Sequence, residues 1–206
     1  TKINLTLLDL PSQEDALKGL CLELEDGAFP LLKKIEFGTD PKKMFAGCSL
    51  VVFFGGASRK PGQERRDLLQ TNSLIFKEQG EALNEVVTSD CKCLVVANPC
   101  HTNCFILRKH CPKLPKENFH ALSRLDHNRA LAQVSKKLGV DISKVKKITI
   151  WGNHSVNQYP DLSYTEYQGE KVANLIKDQE YIQKEFVELI QQRGAEILQQ
   201  RKKAAV

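Results

Sequence analysis

Short apolar runs recur along this chain at 3–8, 35–39, 50–54, 93–97 and 148–151, and helical periods fill the gaps between them. A strand with one wet face alternates apolar and polar residues, whereas a strand covered on both faces stays apolar along its length. Ser12, with Asp15 three residues on, reads as a weak capping box that opens a helix through Leu17, Leu20 and Leu24. A long helical pattern covers 66–87, with Leu68, Leu69, Ile75, Phe76, Leu83 and Val86 as its apolar positions. Others cover 101–110 and 124–138, the last stopped by Gly139. Such alternation implies an α/β chain built on a doubly wound parallel sheet.

After Trp151 the pattern changes. Residues 164–168 alternate weakly as an edge strand and 172–203 are mostly helical, which marks a second region. The expected division is 1–120 as a parallel α/β domain and 121–206 as part of an α+β domain. The chain opens at Thr1, next to a strand and without an initiator methionine, and closes inside a helical pattern. It is therefore read as lacking both ends, with the sheet incomplete at its N-terminal side.

With 206 residues, 41% of them hydrophobic, there is enough apolar surface for one full domain and part of another. The formal charge of +5 is spread in pairs such as Lys33-Lys34, Lys136-Lys137 and Lys146-Lys147 at element ends. No aromatic or glycine motif accompanies them, which argues against nucleic acid as a partner. A mild positive balance suits small anions. No apolar run approaches the length of a membrane span. The seven cysteines include no Cys-x-x-Cys pair, so reduced cytoplasmic thiols without a metal are expected. Cys91 and Cys93 are read as pointing to opposite faces of a strand approach. Cys100 and Cys104 share a helical face, where a zinc or redox role is the alternative.

Four places carry chemistry. Asp9 ends the first strand, where an acidic side chain in a doubly wound sheet accepts hydrogen bonds from the ribose of a dinucleotide; a plain helix-entry turn explains it equally well. The loop 55–67 carries Gly55-Gly56, Pro61-Gly62 and the arginines Arg59 and Arg65 after an apolar strand. It reads either as a carboxylate-binding lid or as a solvated basic loop. Asn98, ahead of Pro99 at another strand end, offers a donor and an acceptor, although turn chemistry alone accounts for Asn-Pro. The strongest set joins two segments. Ile150-Trp151-Gly152-Asn153-His154-Ser155 sets a histidine in a Gly/Asn turn after an apolar run, 145–151, read as a buried strand. Leu125-Asp126-His127-Asn128-Arg129 sets an aspartate and an arginine three apart, on one helix face. A carboxylate orienting an imidazole, with a guanidinium beside it, is equipment for moving a proton on a substrate that bears its own carboxylate. The bland reading of His154 is a satisfied turn residue.

These pieces resemble the malate dehydrogenases, in the branch of the lactate/malate dehydrogenase family that holds cytosolic eukaryotic and many bacterial NAD enzymes. The resemblance runs along essentially the whole chain. It is carried most specifically by 23–32, by Glu64-Arg65-Arg66-Asp67-Leu68-Leu69, by Leu125-Asp126-His127-Asn128-Arg129-Ala130 and by the segment around His154. It implies a Rossmann-like NAD-binding domain followed by a substrate domain. It also implies hydride transfer between malate and NAD, with His154 accepting the hydroxyl proton and Asp126 fixing its tautomer. Arg129 then grips the carboxylate beside the reacting carbon, Arg59 the distal carboxylate, and Arg65 polarises the carbonyl in the reverse direction. Asn98 touches substrate and nicotinamide, and Asp9, Asn72, Gln79, Val96 and Ala97 line the NAD site.

The resemblance also implies a homodimer, to which the helix from Ser12 to Leu24 is a candidate contact. The chain departs from the branch at Ala97, Cys100 and His101, where Gly, Ala and Asn are usual, and at Gln63, where Met is common. Two alternatives remain: a lactate-type dehydrogenase, distinguished by what occupies position 59, and a non-catalytic piece of the fold. Little activity is expected from these 206 residues by themselves.

Overall fold

The structure, a computed structural model, describes residues 1–57 and 65–201, the side chains of 65–68 excepted. The chain divides into two compact units, Thr1–Ala121 and Leu122–Val206.

In the first unit β1 (Ile3–Leu8) runs parallel to β2 (Leu32–Gly38), with α1 (Glu14–Asp26) between them in sequence. The short α2 (Pro41–Phe45) follows, with Pro41 in its first turn and the Asp40 carboxylate accepting from Lys42 N at 3.0 Å and Lys43 N at 3.4 Å. Then β3 (Leu50–Phe53), β4 (Lys92–Val95) and β5 (Phe119–Ala121) form a second parallel ladder. The helices α3 (Arg65–Val86) and α4 (Cys100–Lys109) supply its crossovers. The α/β character and the parallel pairing expected from the apolar runs are both present. The short β5 was not foreseen, because three residues with His120 in the middle leave no period to read.

The core of this unit joins Phe45, Val51, Phe53, Phe76, Leu83, Val95 and Leu107 with the thiols of Cys91, Cys93, Cys100 and Cys111. Cys91 and Cys93 are both fully buried in the same core, which corrects the expectation of opposite faces. Residues two apart in extended chain lie on one side of it. Burial pushes both thiols above the ordinary cysteine range, so they are protonated and fill space as small apolar groups. None of the seven cysteines is joined in a disulfide. The expected capping box is absent: Ser12 sits in a short 3-10 turn, and α1 starts after Gln13 without a side-chain cap.

The second unit is α5 (Arg124–Leu138), β6 (Val145–Lys146), β7 (Thr149–Trp151), β8 (Tyr159–Asp161), β9 (Glu166–Tyr167), β10 (Glu170–Lys171), α6 (Val172–Ile176) and α7 (Phe186–Arg201). As expected, Gly139 closes α5, at φ +66°. The expected single buried strand over 145–151 is two strands in two ladders, broken at Lys147 with φ +64°. The reason is charge. Lys146 and Lys147 cannot be buried in mid-strand, and Lys147 turns out to meet Glu166 at 2.7 Å. Trp151, read as buried, is 58% exposed and donates to Asp161 Oδ2 at 2.9 Å. The expected edge strand at 164–168 shrinks to β9, which lies between β10 and β6. The helical tail is interrupted by Lys177 at φ +54° and a wide π turn at Tyr181–Glu185. Ala130, Val134, Ile148, Val172, Phe186 and Ile190 form this unit's own core.

Candidate functional site

In the second unit Asp126 lies in the first turn of α5 and is fully buried. Three residues later Arg129 returns to the same face, and its Nη1 donates to Asp126 Oδ1 at 2.8 Å. His154 comes from the turn after β7, where Gly152 adopts φ +85°, a conformation that favours glycine. Its Nδ1 makes a short hydrogen bond to Asp126 Oδ2. The two carboxylate oxygens are thus divided between a guanidinium and an imidazole.

The electrostatics follow from that division. Burial pushes the Asp126 carboxyl up, but the hydrogen bond and charge of His154 and the Arg129 charge together hold it below the usual carboxylate range. The hydrogen bond that His154 donates to Asp126, with that carboxylate's negative charge, raises His154 above its ordinary value against burial and the nearby Arg129. The His154 side chain is 29% exposed, compared with 0% for Asp126. The imidazole is therefore partly open to solvent while the carboxylate it meets is closed off from it. With Nδ1–H engaged by Asp126, Nε2 carries the basic lone pair. Arg129 is 11% exposed and rests on α7 where Gly194 has no side chain, a Cβ there lying 3.8 Å from Nη2.

In the first unit Asp9 and Asn98 stand at strand ends, and Asn72 and Gln79 on α3. Asp9 follows β1, is exposed, and accepts from Leu10 N at 2.8 Å through Oδ1. Past β4, Val96 N and Ala97 N both donate to Phe53 O, at 2.9 and 3.0 Å, which ties this strand end to β3. Ala97 is buried, Val96 half-buried, and Asn98 exposed ahead of a cis bond to Pro99. Gln79 is half-buried on α3.

Asn72, also on α3, is fully buried. Its Oδ1 accepts from Ala57 N at 2.9 Å and its Nδ2 donates to Ala57 O at 3.2 Å. A Cβ on Gly56 would lie 2.9 Å from that Oδ1, so the glycine is what admits the amide. Asn72 therefore holds the main chain of the loop after β3. Arg59, Gln63 and the rest of 58–64 lie outside the described residues, as does the Arg65 side chain, although Arg65 begins α3.

An adenine dinucleotide asks such a unit for an acceptor facing the ribose hydroxyls, a close backbone approach and a polar group near the nicotinamide. Asp9 with one oxygen free of its local turn, the Gly55-Gly56 backbone and the exposed Asn98 amide meet those needs. Among the described residues, no group of three or more His, Cys, Asp or Glu is placed to hold a metal ion. No helix among them is long and apolar enough to cross a membrane.

Comparison with known proteins bears on this arrangement directly. Residues 2–120 match the NAD binding domain of the lactate/malate dehydrogenases, and residues 123–206 match that family's alpha/beta C-terminal domain. The chain belongs to the lactate/malate dehydrogenase family. Among solved structures, a malate dehydrogenase from Naegleria fowleri is 44% identical, with TM-score 0.94 over 100% of this chain and 63% of that one. A Trichomonas vaginalis lactate dehydrogenase, in complex with NADH and oxamate, is 39% identical, with TM-score 0.92 over 99% of this chain and 62% of that one. A malate dehydrogenase from Plasmodium falciparum, 22% identical with TM-score 0.78 over 98% of this chain and 72% of that one, shares the fold. The chain thus spans about 63% of the Naegleria enzyme's length.

Sequence reasoning named Asp126, Arg129 and His154, and the fold brings these three together. It did not find Gln158, or the support given by Gln191, whose Nε2 donates to Gln158 O at 2.8 Å, and by Gly194. Nothing in the order of residues announces a buried glutamine in a loop; only its 3% exposure does.

Proposed function

We propose that the protein containing this chain is an NAD-dependent malate dehydrogenase that interconverts malate and oxaloacetate. The observation that carries the reading is the buried Asp126 with His154 on one oxygen and Arg129 on the other. His154 Nε2 takes the proton of a substrate hydroxyl, and Asp126 fixes the tautomer and stabilises the imidazolium that results. Arg129 pairs with the carboxylate next to the reacting carbon. The chemistry that NAD supplies when bound is acceptance of hydride from that carbon. Asp9, Gln79, Val96, Ala97 and Asn98 line the dinucleotide site, and Asn72 holds the loop that borders it. The acidic Asp9 favours NAD over its 2′-phosphorylated form, whose phosphate it repels. A cytoplasmic location and a homodimer belong to the same reading.

Choice of substrate rests on Arg59, whose guanidinium pairs with a second carboxylate, and on Arg65 beside the reacting oxygen. In the full-length protein, Arg59→Gln removes one charged hydrogen-bonding partner worth about 1.5–3 kcal/mol, so oxaloacetate turnover is expected to fall on the order of a hundredfold. Loss of NADH absorbance with oxaloacetate measures this, and unchanged kinetics refute the assignment. A lactate-type activity is the second reading, supported by the 39% identity to the Trichomonas enzyme. Faster NADH oxidation with pyruvate than with oxaloacetate in the unaltered protein decides for it.

A further inference from the structure

One buried side chain of the first unit is polar where the rest of its helix face is apolar. The buried positions of α4 are Cys100, Asn103 and Leu107, about a turn apart from one another. Asn103 is 1% exposed, and its Oδ1 has no partner among the described residues. A leucine has nearly the same shape and leaves no carbonyl unpaired, so packing does not explain the amide. What the amide supplies is its N–H. Asn103 Nδ2 donates to Ala97 O at 3.0 Å, six residues back and past the end of β4.

The same residue acts a second time through its main chain. Asn103 N donates to Pro99 O at 3.0 Å, the first hydrogen bond of α4. The carbonyls on either side of Asn98 are therefore both held by Asn103, while Ala97 N is tied to Phe53 O at 3.0 Å. Asn98 itself is exposed, so these bonds fix the base of a side chain that is open to solvent. The loop after β3 is built alike. Asn72 of α3 holds Ala57, and a Cβ on Gly56 would lie 3.4 Å from Ala97 Cβ, so the two loops meet. Each is anchored by a buried asparagine on the helix that follows its strand.

We propose that Asn103 is a positioning residue for Asn98: its side-chain N–H fixes the Ala97 carbonyl and so sets where the Asn98 amide stands. The effect on catalysis rests on the reading given under Proposed function, in which Asn98 lines the dinucleotide site; the effect on the main chain does not.

The test uses the full-length protein with Asn103→Leu, Asn98→Ala and the double variant. In Asn103→Leu an unpaired Oδ1 is exchanged for an unpaired Ala97 O, so Tm stays within about 3 °C. There kcat for oxaloacetate falls about tenfold, because the reacting geometry is displaced, while the dissociation constant of NADH stays within about threefold. Because Asn103 acts through Asn98, adding Asn103→Leu to Asn98→Ala lowers kcat by less than about twofold more. Hydrogen exchange at the Val96 and Ala97 amides rises about tenfold in Asn103→Leu, and exchange within β4 is unchanged.

Full multiplication of the two single losses overturns the proposal, as does a folded Asn103→Leu in which exchange at Val96 and Ala97 is unmoved. A lowered Tm with kcat unchanged overturns it too. Asn103→Ala, which removes the same N–H and leaves space, is measured in parallel and decides where Asn103→Leu does not fold. If neither folds, the amide serves the core alone and the proposal fails. Should exchange rise while the unaltered protein turns over neither oxaloacetate nor pyruvate, the dehydrogenase reading fails and the positioning of the strand end stands.

Discussion

The two units build their sites from different material. In the first, parallel strands end in exposed polar residues, Asp9 and Asn98, and the Gly55–Gly56 main chain follows β3. Its buried Asn72 and Asn103 serve the loop backbone. In the second, the site is a charge network in which Arg129 and His154 meet at the buried Asp126, set in a helix and an irregular turn. A backbone site tolerates changes in side chains so long as the strand ends stay where they are. A buried charge network does not, because each member's ionisation depends on the others and a lost partner leaves a charge unpaired in low dielectric.

That contrast can be broken by substitution. The largest effect is expected from His154→Asn, which keeps the polarity and removes the proton acceptor. A loss of about 10²–10⁴ in kcat is the usual contribution of a general base, with cofactor binding unchanged. Steady-state kinetics beside NADH fluorescence titration measures both, and a kcat within tenfold of the parent removes His154 from its role. In the first unit, Asn72→Leu leaves the Ala57 N–H and carbonyl without their partner. The expected cost is about 1–3 kcal/mol in urea unfolding, together with a raised KM for NADH.

A purely structural change sharpens the comparison. At Gly80 a Cβ would lie 2.9 Å from Leu107 O and from His110 Cβ, where α3 and α4 meet. Gly80→Ala forces the helices apart at a cost of about 1–3 kcal/mol, seen as a lowered Tm, and leaves the His154 titration where it was.

The smallest effect is a shift with pH. Because the Asp126 hydrogen bond raises His154, malate oxidation is expected to rise with pH through a midpoint above that of a free imidazole. Asp126→Asn moves that midpoint down, and kcat/KM against pH shows it. Stability carries the same signs. The His154 contribution is complete below its unfolded value of about 6.5 and is lost as pH rises through the folded one. The Asp126 contribution is present above about 3.9 and is lost as pH falls through its lowered folded value. Urea midpoints across pH follow both limbs, and Asp126→Asn abolishes the acid one.

The legibility of the chain follows the same division. β1 was read over its observed span because Ile3, Leu5 and Leu7 together with Leu8 leave little polar contrast to mislead. α3 and α5 were read to within a residue or so from their 3.6 period and from Gly139. Where the chain changes direction often, the reading failed. Val145 to Trp151 looked like one strand, yet paired lysines at its centre broke it and gave each half a different neighbour. No short-range pattern states which antiparallel partner a two-residue strand will find.

What the order of residues determined was the longer helices and the apolar strands of the first unit, that unit's parallel character, and which aspartate, histidine and arginine to look for. These are local: they depend on periods of 2 and 3.6 and on side chains a single helical turn apart. What tertiary structure alone decided was that an aspartate on α5 and a histidine 28 residues later share a hydrogen bond, and that Gln158 is buried. Burial and coupling of charge are properties of the packed interior, since the medium that sets their strength exists only after the chain has excluded water.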